Sequence, residues 1–398
     1  MRSHRMIKKA LCLFGVSLLI AVSGCDEEFS NWSSPRAQFE RTITQQIALD
    51  GSDTLDVLSK LGSITVTGAD TAGCDVVAKV VAQAPTEQEA QALAEQVEIV
   101  GQAAGSTMKI RSKEPDLSNN QSIAVSYTVT IPRRMNVRCD SDFGGLDVSH
   151  IEGRLDAKSG NGAVKTQDIR GRTDLNTSFG AIECRDVAGP SIALHSGNGA
   201  ITATGLRGPV TAETSFGAIS CEDVADGDLK LKSGNGRIEI ANASFGVCDA
   251  RSSFGVIAGH DLKGDSTTLH SGNGSVEIDN VQTKTLDLYS SFGSLRATTV
   301  TASNISATSG NGSIHIACSP SAPADLNAQV RSTFGGVEFT APTGFSGEVS
   351  LSTSFGSVKT ALPVTVSGEI SQSRVAGKVG DGAGKIHLES GNGSVELK

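Results

Sequence analysis

The sequence predicts an all-β protein: a single-chain parallel β-helix (β-solenoid) of about 14 coils of 18–19 residues, behind a small α+β lead-in. Three observations predict it. One short turn recurs at an almost constant interval, residue types hold fixed columns on either side of that turn, and the composition suits a stacked repeat. Glycine makes up 45 of 398 residues, aromatics only 4% and charged residues 19%, while 38% of the chain is apolar. Such a chain is neither disordered nor collagen-like, and it is an unusual composition for a compact enzyme domain.

The turn occurs in two flavours, Ser-Gly-Asn-Gly and Ser/Thr-Ser-Phe-Gly. Its last glycine falls at Gly144, Gly162, Gly180, Gly199, Gly217, Gly236, Gly255, Gly274, Gly293, Gly312, Gly335, Gly356 and Gly393. The steps are 18 or 19 residues as far as Gly312, then 23, 21 and 37. The last step has room for one degenerate unit around Gly377. Two residues after the glycine stands an aliphatic side chain every time, from Leu146, Val164 and Ile182 to Val395. Three before it is always Ser or Thr, and seven after it is usually aliphatic again, commonly behind an Asp or Asn such as Asp168, Asp186, Asp223, Asp261 or Asn280. Alternation of period two on both sides of a corner describes short strands. The Asn-Gly pair is expected to supply positive φ at that corner, with a second corner at the Asp/Asn. One unit is too small to bury its own apolar face, so units stack and each strand pairs in parallel with its counterpart one coil away. The Ser/Thr column then forms a hydroxyl ladder just inside the corner.

Residues 40–139 are less regular. Ser59 to Ile64 matches the corner pattern once and is expected to form a first coil. Pro85 to Val100 places Ala90, Leu93, Val97 and Val100 at helical spacing behind Thr86, an N-cap with Glu89 three residues on. Strands are expected over 106–111 and 123–131, and the helix is expected to cover the open edge of the first coil. No such cap is visible at the other end, where the sequence stops in the middle of a strand pattern at Lys398. An uncapped edge there would be open to strand addition by a partner.

The N-terminal residues read as an address. Arg2, Arg5, Lys8 and Lys9 precede an apolar stretch over residues 10–21, too short for a standard membrane span. Val22-Ser23-Gly24-Cys25 resembles the bacterial lipobox, which makes 1–24 a lipoprotein signal peptide and Cys25 the lipidated residue. Residues 25–39 then form a tether, 40–139 the lead-in and 140–398 the solenoid. Asp26 resembles the signal that holds lipoproteins in the inner membrane. Without residues 1–24 the chain carries 30 Lys+Arg against 43 Asp+Glu, a net charge of −13, which argues against nucleic acid as a partner.

With the helix-containing lead-in, the stretch TVTIPRRMNVRCDSDFGGLDV (128–148) and the serial Gly-x-Ile corners, the chain resembles a bacterial "putative adhesin" family of β-strand-repeat lipoproteins. That family is a domain of unknown function related to the head type of autotransporter adhesins. The resemblance covers Ala48 to Lys398 and implies an envelope protein, commonly lipid-anchored, with no catalytic residues to carry over.

The phenylalanines are the most pointed feature. Phe143, Phe179, Phe216, Phe254, Phe292, Phe334 and Phe355 each immediately precede a corner glycine, seven of the thirteen in the chain. They alternate with Asn through Gly312, and the alternation then breaks. Two readings are open. The rings form a binding ridge at every second coil, or they fill space left by the glycines of neighbouring coils. Cys139, Cys184, Cys221, Cys248 and Cys318 fall in inward columns and read as buried free thiols. His195 and His270 share an outward column. The outward charges three residues after the glycine mix signs, as in Asp147, Lys165 and Glu183, and form no carboxylate cluster of the kind a glycosidase needs. Pro320 to Pro323 lies in the longest coil and is expected to protrude as a partner loop. We therefore expect no catalytic residues, no metal and no cofactor. The expected protein is a lipid-anchored, extracytoplasmic, non-enzymatic adhesin-like binding or envelope-scaffold protein. It would sit in the cell envelope, on the periplasmic face of the inner membrane or at the outer membrane and cell surface. Its partners would be the membrane, through the lipid, and a cell-surface, glycan or envelope-protein ligand. The alternative is a periplasm-facing accessory that binds an envelope or signalling partner, and a carbohydrate-active β-helix enzyme ranks third.

Overall fold

A computed structural model describes residues 36–366 and 371–398. The expected signal peptide over 1–24, the expected lipidation site Cys25 and Asp26 lie outside the described residues. The rest is an all-β solenoid with one helix. About 11 turns follow one another without a break, from Asn136–Ser141 to Val337–Thr340. Each turn has one strand before the glycine corner and one after it, as in Leu155–Ser159 and Val164–Ile169. All pair in parallel with the next turn, in register but for one shift between Ala297 and Val300: Leu155 lies opposite Thr173, and Val164 opposite Ile182. This register puts every aliphatic column inside. Ile151, Leu155, Val164, Ile169, Leu175 and Leu194 are all fully buried. In the 15-residue strands Ile238–Ser252, Ile257–Ser271, Val276–Ser290 and Leu295–Ser309 the third side of the coil pairs as well, for example Ser244 with Lys263.

The expected hydroxyl ladder is present. Ser159 Oγ donates to the carbonyl of Gly144 one turn back at 2.9 Å, and accepts from its own corner amide, Gly162, at 2.8 Å. The same pair of bonds recurs through Thr177, Ser196, Thr214, Ser233, Ser252, Ser271, Ser290 and Ser309. Corner amides and carbonyls that the strand ladder leaves over are thereby satisfied inside the stack.

The two corners do not work as expected. The Asn of the Ser-Gly-Asn-Gly corner never has positive φ, and the corner glycines from Gly144 to Gly312 have none in the left-handed range. These glycines are required by a close approach: a Cβ on Gly199 would stand 1.9 Å from the carbonyl oxygen of Gly180. Positive φ belongs to the opposite corner, at His150, Asp168, Asp186, Gly205, Asp223, Asn242, Asp261, Asn280 and Thr299, with φ between 52° and 70°. Asp and Asn tolerate that region because their short polar side chains bond locally.

The front matches the sequence in parts. Ser59 and Ile64 lie in a first layer, Thr54–Ser59 with Ile64–Ala69, and Thr107–Lys113 and Ser122–Pro132 are strands. Thr86 caps the helix Glu87–Gln96 by accepting from the amide of Glu89 at 3.3 Å. The helix stops at Gln96, however. Val97 is its C-cap, and Val100 is exposed in the strand Glu98–Ala104. Nor does the helix cover the first layer. Thr107–Lys113 and Ser122–Pro132 pair with that layer instead, while antiparallel Cys74–Ala84 and Ala37–Ile47 extend the sheet outward. The helix rests beside Ala37–Ile47, where the Arg41 guanidinium donates to the carbonyls of Ala94, Glu95 and Val97.

At the far end, two expectations are corrected. No coil forms around Gly377, and the last edge is not open. Chain order and spatial order part company. Gly384–Asn392 and Val395–Leu397 insert as a layer directly behind Asn327–Ser332 and Val337–Thr340. The earlier segment, Gly347–Phe355 with Val358–Thr360, stacks outside them. Its own edge is covered by antiparallel Arg374–Val379, which also pairs with Thr365–Val366. The hydroxyl ladder follows the spatial order, Ser390 to Gly335 and then Thr353 to Gly393, each at 2.8 Å. The expected number of layers is reached with one in front of the eleven turns and two behind.

Candidate functional site

One column of the stack faces solvent with large apolar side chains. Phe143, Phe179, Phe216, Phe254, Phe292, Phe334 and Phe355 are 53–76% exposed. Rings that filled gaps between glycines would be buried, so the space-filling reading fails. The glycines have another role. A Cβ on Gly197 would meet the Ser178 carbonyl oxygen at 2.3 Å, and one on Gly234 the Ser215 carbonyl oxygen at the same distance. Each Ser-Phe turn thus needs a Gly-Asn turn beyond it because the backbones touch. Main-chain bonds lock the alternation: Phe216 N–H donates to Gly197 O, and Asn235 N–H to Ser215 O.

The break read at Phe334 and Phe355 disappears in three dimensions. With the inserted layer between them, Phe355 lies opposite Asn392, whose amide donates to Thr333 O. Along the solid edge the order is Phe334, Asn392, Phe355. Phe and Asn therefore alternate without interruption from Phe143 to Phe355, and the intervening Asn161, Asn198, Asn235, Asn273, Asn311 and Asn392 are all exposed. Adjacent strands lie ~4.8 Å apart, so successive rings stand ~9.6 Å apart.

The ridge has structured flanks. At its front end Phe143 joins Leu58, Leu61 and Leu117 in a cleft of about 710 Å³ that also holds Lys60 and Asp142. Midway, a trough of about 400 Å³ runs beside it over four layers, lined by Asn176, Ser178, His195, Gly197, Glu213 and Lys232. Farther along, Tyr289 is exposed on the same wall, tilted against His270 with ring centroids 5.5 Å apart. His195 and His270 thus take part in this flank, whereas Asn176, Glu213, Lys232 and Tyr289 were missed in the sequence. The signal was there: all share with His195 the outward column four residues before the corner glycine, which the fold places next to the ridge.

The remaining chemistry is occupied elsewhere. Lys165 pairs with Glu183 at 3.5 Å, and Glu183 also meets Arg185. A hydrogen bond from Lys398 holds the Glu338 carboxyl below the usual carboxylate range, and one from His150 does the same for Asp168. These shifts oppose what a general acid needs. All six described cysteines are free and buried, and burial pushes the thiols of Cys184, Cys221 and Cys318 up to about 12. Cys184 and Cys221 are separated by Ala203 in their column, so they sit two layers apart. Among the described residues, no group of three His, Cys, Asp or Glu side chains is placed to hold a metal ion. Pro323 protrudes less than expected. Ala322 and Leu326 are buried beneath the loop, and Pro323 borders a groove of about 680 Å³ with Phe245, Lys263, Asp265 and Lys284.

Fold and edge together define the class: a parallel β-solenoid presenting a continuous aromatic ridge. Residues 210–398, a little under half of the chain, match the model of the Toastrack DUF4097 family. The resemblance read from the sequence stands at this level. The match starts at the strand Val210–Thr214, in mid-stack, and layers of the same geometry continue in front of it. Among solved structures the chain is similar to a "putative cell adhesion protein" from Clostridium sporogenes, at 9% identity over 90% of this chain and 99% of that one, TM-score 0.18. It is also similar to a "putative adhesin" from Bacteroides fragilis, at 16% identity over 65% and 96%, TM-score 0.31. A third is a "putative lipid binding protein" from Parabacteroides distasonis, at 14% identity over 75% and 94%, TM-score 0.24. These similarities are too remote to carry a function across. No curated protein matches the chain.

Proposed function

We propose that the protein is a non-enzymatic binding rod of the bacterial cell envelope, held to a membrane by lipid on Cys25 and binding its ligand along the Phe/Asn ridge. The unbroken alternation carries this reading. An exposed Phe is unfavourable in water, and a row of seven on one edge is a feature of recognition surfaces rather than of a solvated wall. Retaining the row through a rearranged chain order points to the edge itself as the working part. Repetition multiplies weak contacts, because once one ring is engaged its neighbours act at high effective concentration. Arg374–Val379 covers the outer edge of Gly347–Phe355, which leaves the ridge better placed than that strand to receive a partner.

Two measurements test this. Cys25→Ala is expected to move the protein from the membrane to the soluble fraction, and an unchanged distribution would overturn the lipid anchor. Phe216→Ala with Phe254→Ala is expected to lower retention of the purified protein on isolated envelopes about tenfold at an unchanged melting temperature. Equal retention, or loss of stability instead, would overturn the ridge. Protease digestion of an epitope after Lys398 on intact cells would place the rod outside. Protection until lysis would place it in the periplasm, as Asp26 favours.

A further inference from the structure

We infer that the trough beside Phe179 and Phe216 receives a linear β-linked glycan, one disaccharide for every two layers of the stack. This inference rests on the ridge being a binding edge. A pyranose ring has an apolar face and an equatorial rim of hydroxyls, and it needs two chemistries side by side. The ridge supplies the first: aromatic faces that an apolar C–H surface can cover. The trough supplies the second. Asn176, His195, Glu213 and Lys232 stand opposite one another in four successive layers, a column of donors and acceptors parallel to the rings. His195 and Glu213 are half-buried, Asn176 and Lys232 exposed, and His195 and Glu213 approach to only 4.0 Å, so their hydrogen-bonding capacity is largely unspent. Between the ring-bearing layers the floor drops to Gly197, with the exposed amide of Asn198 above it.

Period and charge narrow the ligand further. In a β-1,4-linked chain alternate sugars are turned over, so the same face recurs every second residue. The ridge repeats every second layer, ~9.6 Å, comparable to the length of a disaccharide. Lys232 and Glu213 have opposite charges and sit one layer apart, which suits a neutral chain better than a polyanion. A second copy of the protein could mesh Phe against Asn, and a lipid surface could take the rings, but neither would call for a polar trough along the ridge.

The test titrates the full chain with β-1,4-linked N-acetylglucosamine and glucose oligomers of two to eight residues. Affinity is expected to rise in steps of one disaccharide. Phe179→Ala with Phe216→Ala is expected to cost about tenfold, and Glu213→Gln, which keeps the shape of the side chain, about threefold. Circular dichroism melts of each variant check the fold. Failure of every oligomer to bind would overturn the inference, as would equal binding by the double phenylalanine variant. Sedimentation velocity and flotation on phosphatidylglycerol vesicles separate the remaining outcomes. Dimerisation or vesicle binding that needs Phe179 and Phe216, without glycan binding, overturns the glycan and keeps the ridge. No phenylalanine dependence in any of these assays overturns both.

Discussion

The two corners of each coil use similar small residues for opposite reasons. At the Gly162-type corner glycine is required by a neighbour: its missing Cβ is where the previous turn places a carbonyl oxygen, 2.0 Å away. At the Asp168-type corner the residue answers to its own backbone, φ 54°. The first is a constraint of stacking, the second of local conformation. A stacked repeat therefore has positions where Asn and Gly are interchangeable and others where they are not, and the residue names alone do not tell them apart.

The largest effect that can break this comparison is Gly236→Ala. Its Cβ would stand 1.9 Å from Gly217 O, a backbone atom held in a ladder on both sides. We expect a loss on the order of 3 kcal/mol by denaturant titration. Asn242→Gly, at φ 52° on the other corner, is expected to change stability by less than about 0.5 kcal/mol. Similar costs at the two sites would refute the distinction. Next in size is Ser233→Ala. It deletes the hydroxyl that donates to Gly217 O at 3.0 Å and accepts from Gly236 N at 2.9 Å, stranding both groups inside the stack. A loss of about 1–3 kcal/mol is expected, and a smaller one would mean that water reaches the corner. Thr299 sharpens the comparison from the other side, since a β-branched residue at φ 55° is strained. Thr299→Asn should raise stability by about 1 kcal/mol, and a destabilised variant would show that the Thr299 hydroxyl bond to Asp279, at 3.3 Å, outweighs the strain.

The smallest effect is electrostatic. Lys398 holds the Glu338 carboxyl below its ordinary range. A depressed carboxylate pKa adds stability that is present above the unfolded value, about 4.3, and is lost as pH falls through the folded value. Glu338→Gln should therefore flatten the acid limb of the stability curve slightly, because the pair is half-exposed and screened by solvent. An unchanged limb would mean that the pair does nothing for the inserted layer.

Much of the fold was legible because a solenoid is nearly one-dimensional. Each column meets only itself one coil away, so Leu146, Val164 and Ile182 declare their neighbours by spacing alone. The helix was legible too, through Thr86 and Glu89, though not its place beside Ala37–Ile47. Its end at Gln96 was not, since Val97 and Val100 continue the helical spacing although the chain turns there into a strand. The seven phenylalanines were visible as a column, but their exposure was not. A ring at a corner faces in or out according to the direction of the Cα–Cβ bond, which depends on how the turn is folded. Asn176, Glu213 and Lys232 had no visible role until the wall beside the ridge was assembled.

The sequence by itself determined the repeat, the register, the inward columns and the hydroxyl ladder, because these follow from residue types recurring at one period. Only the tertiary structure decided the order of the last layers. The segments 347–360 and 384–397 carry the same corner pattern, so either could follow Val337–Thr340 on local grounds. What separates them is the fit of each turn to its neighbours. Placing Gly391-Asn392 against Thr333-Phe334 puts a glycine where the Thr333 carbonyl leaves no room for a Cβ, at 2.4 Å, and returns Phe355 to the edge.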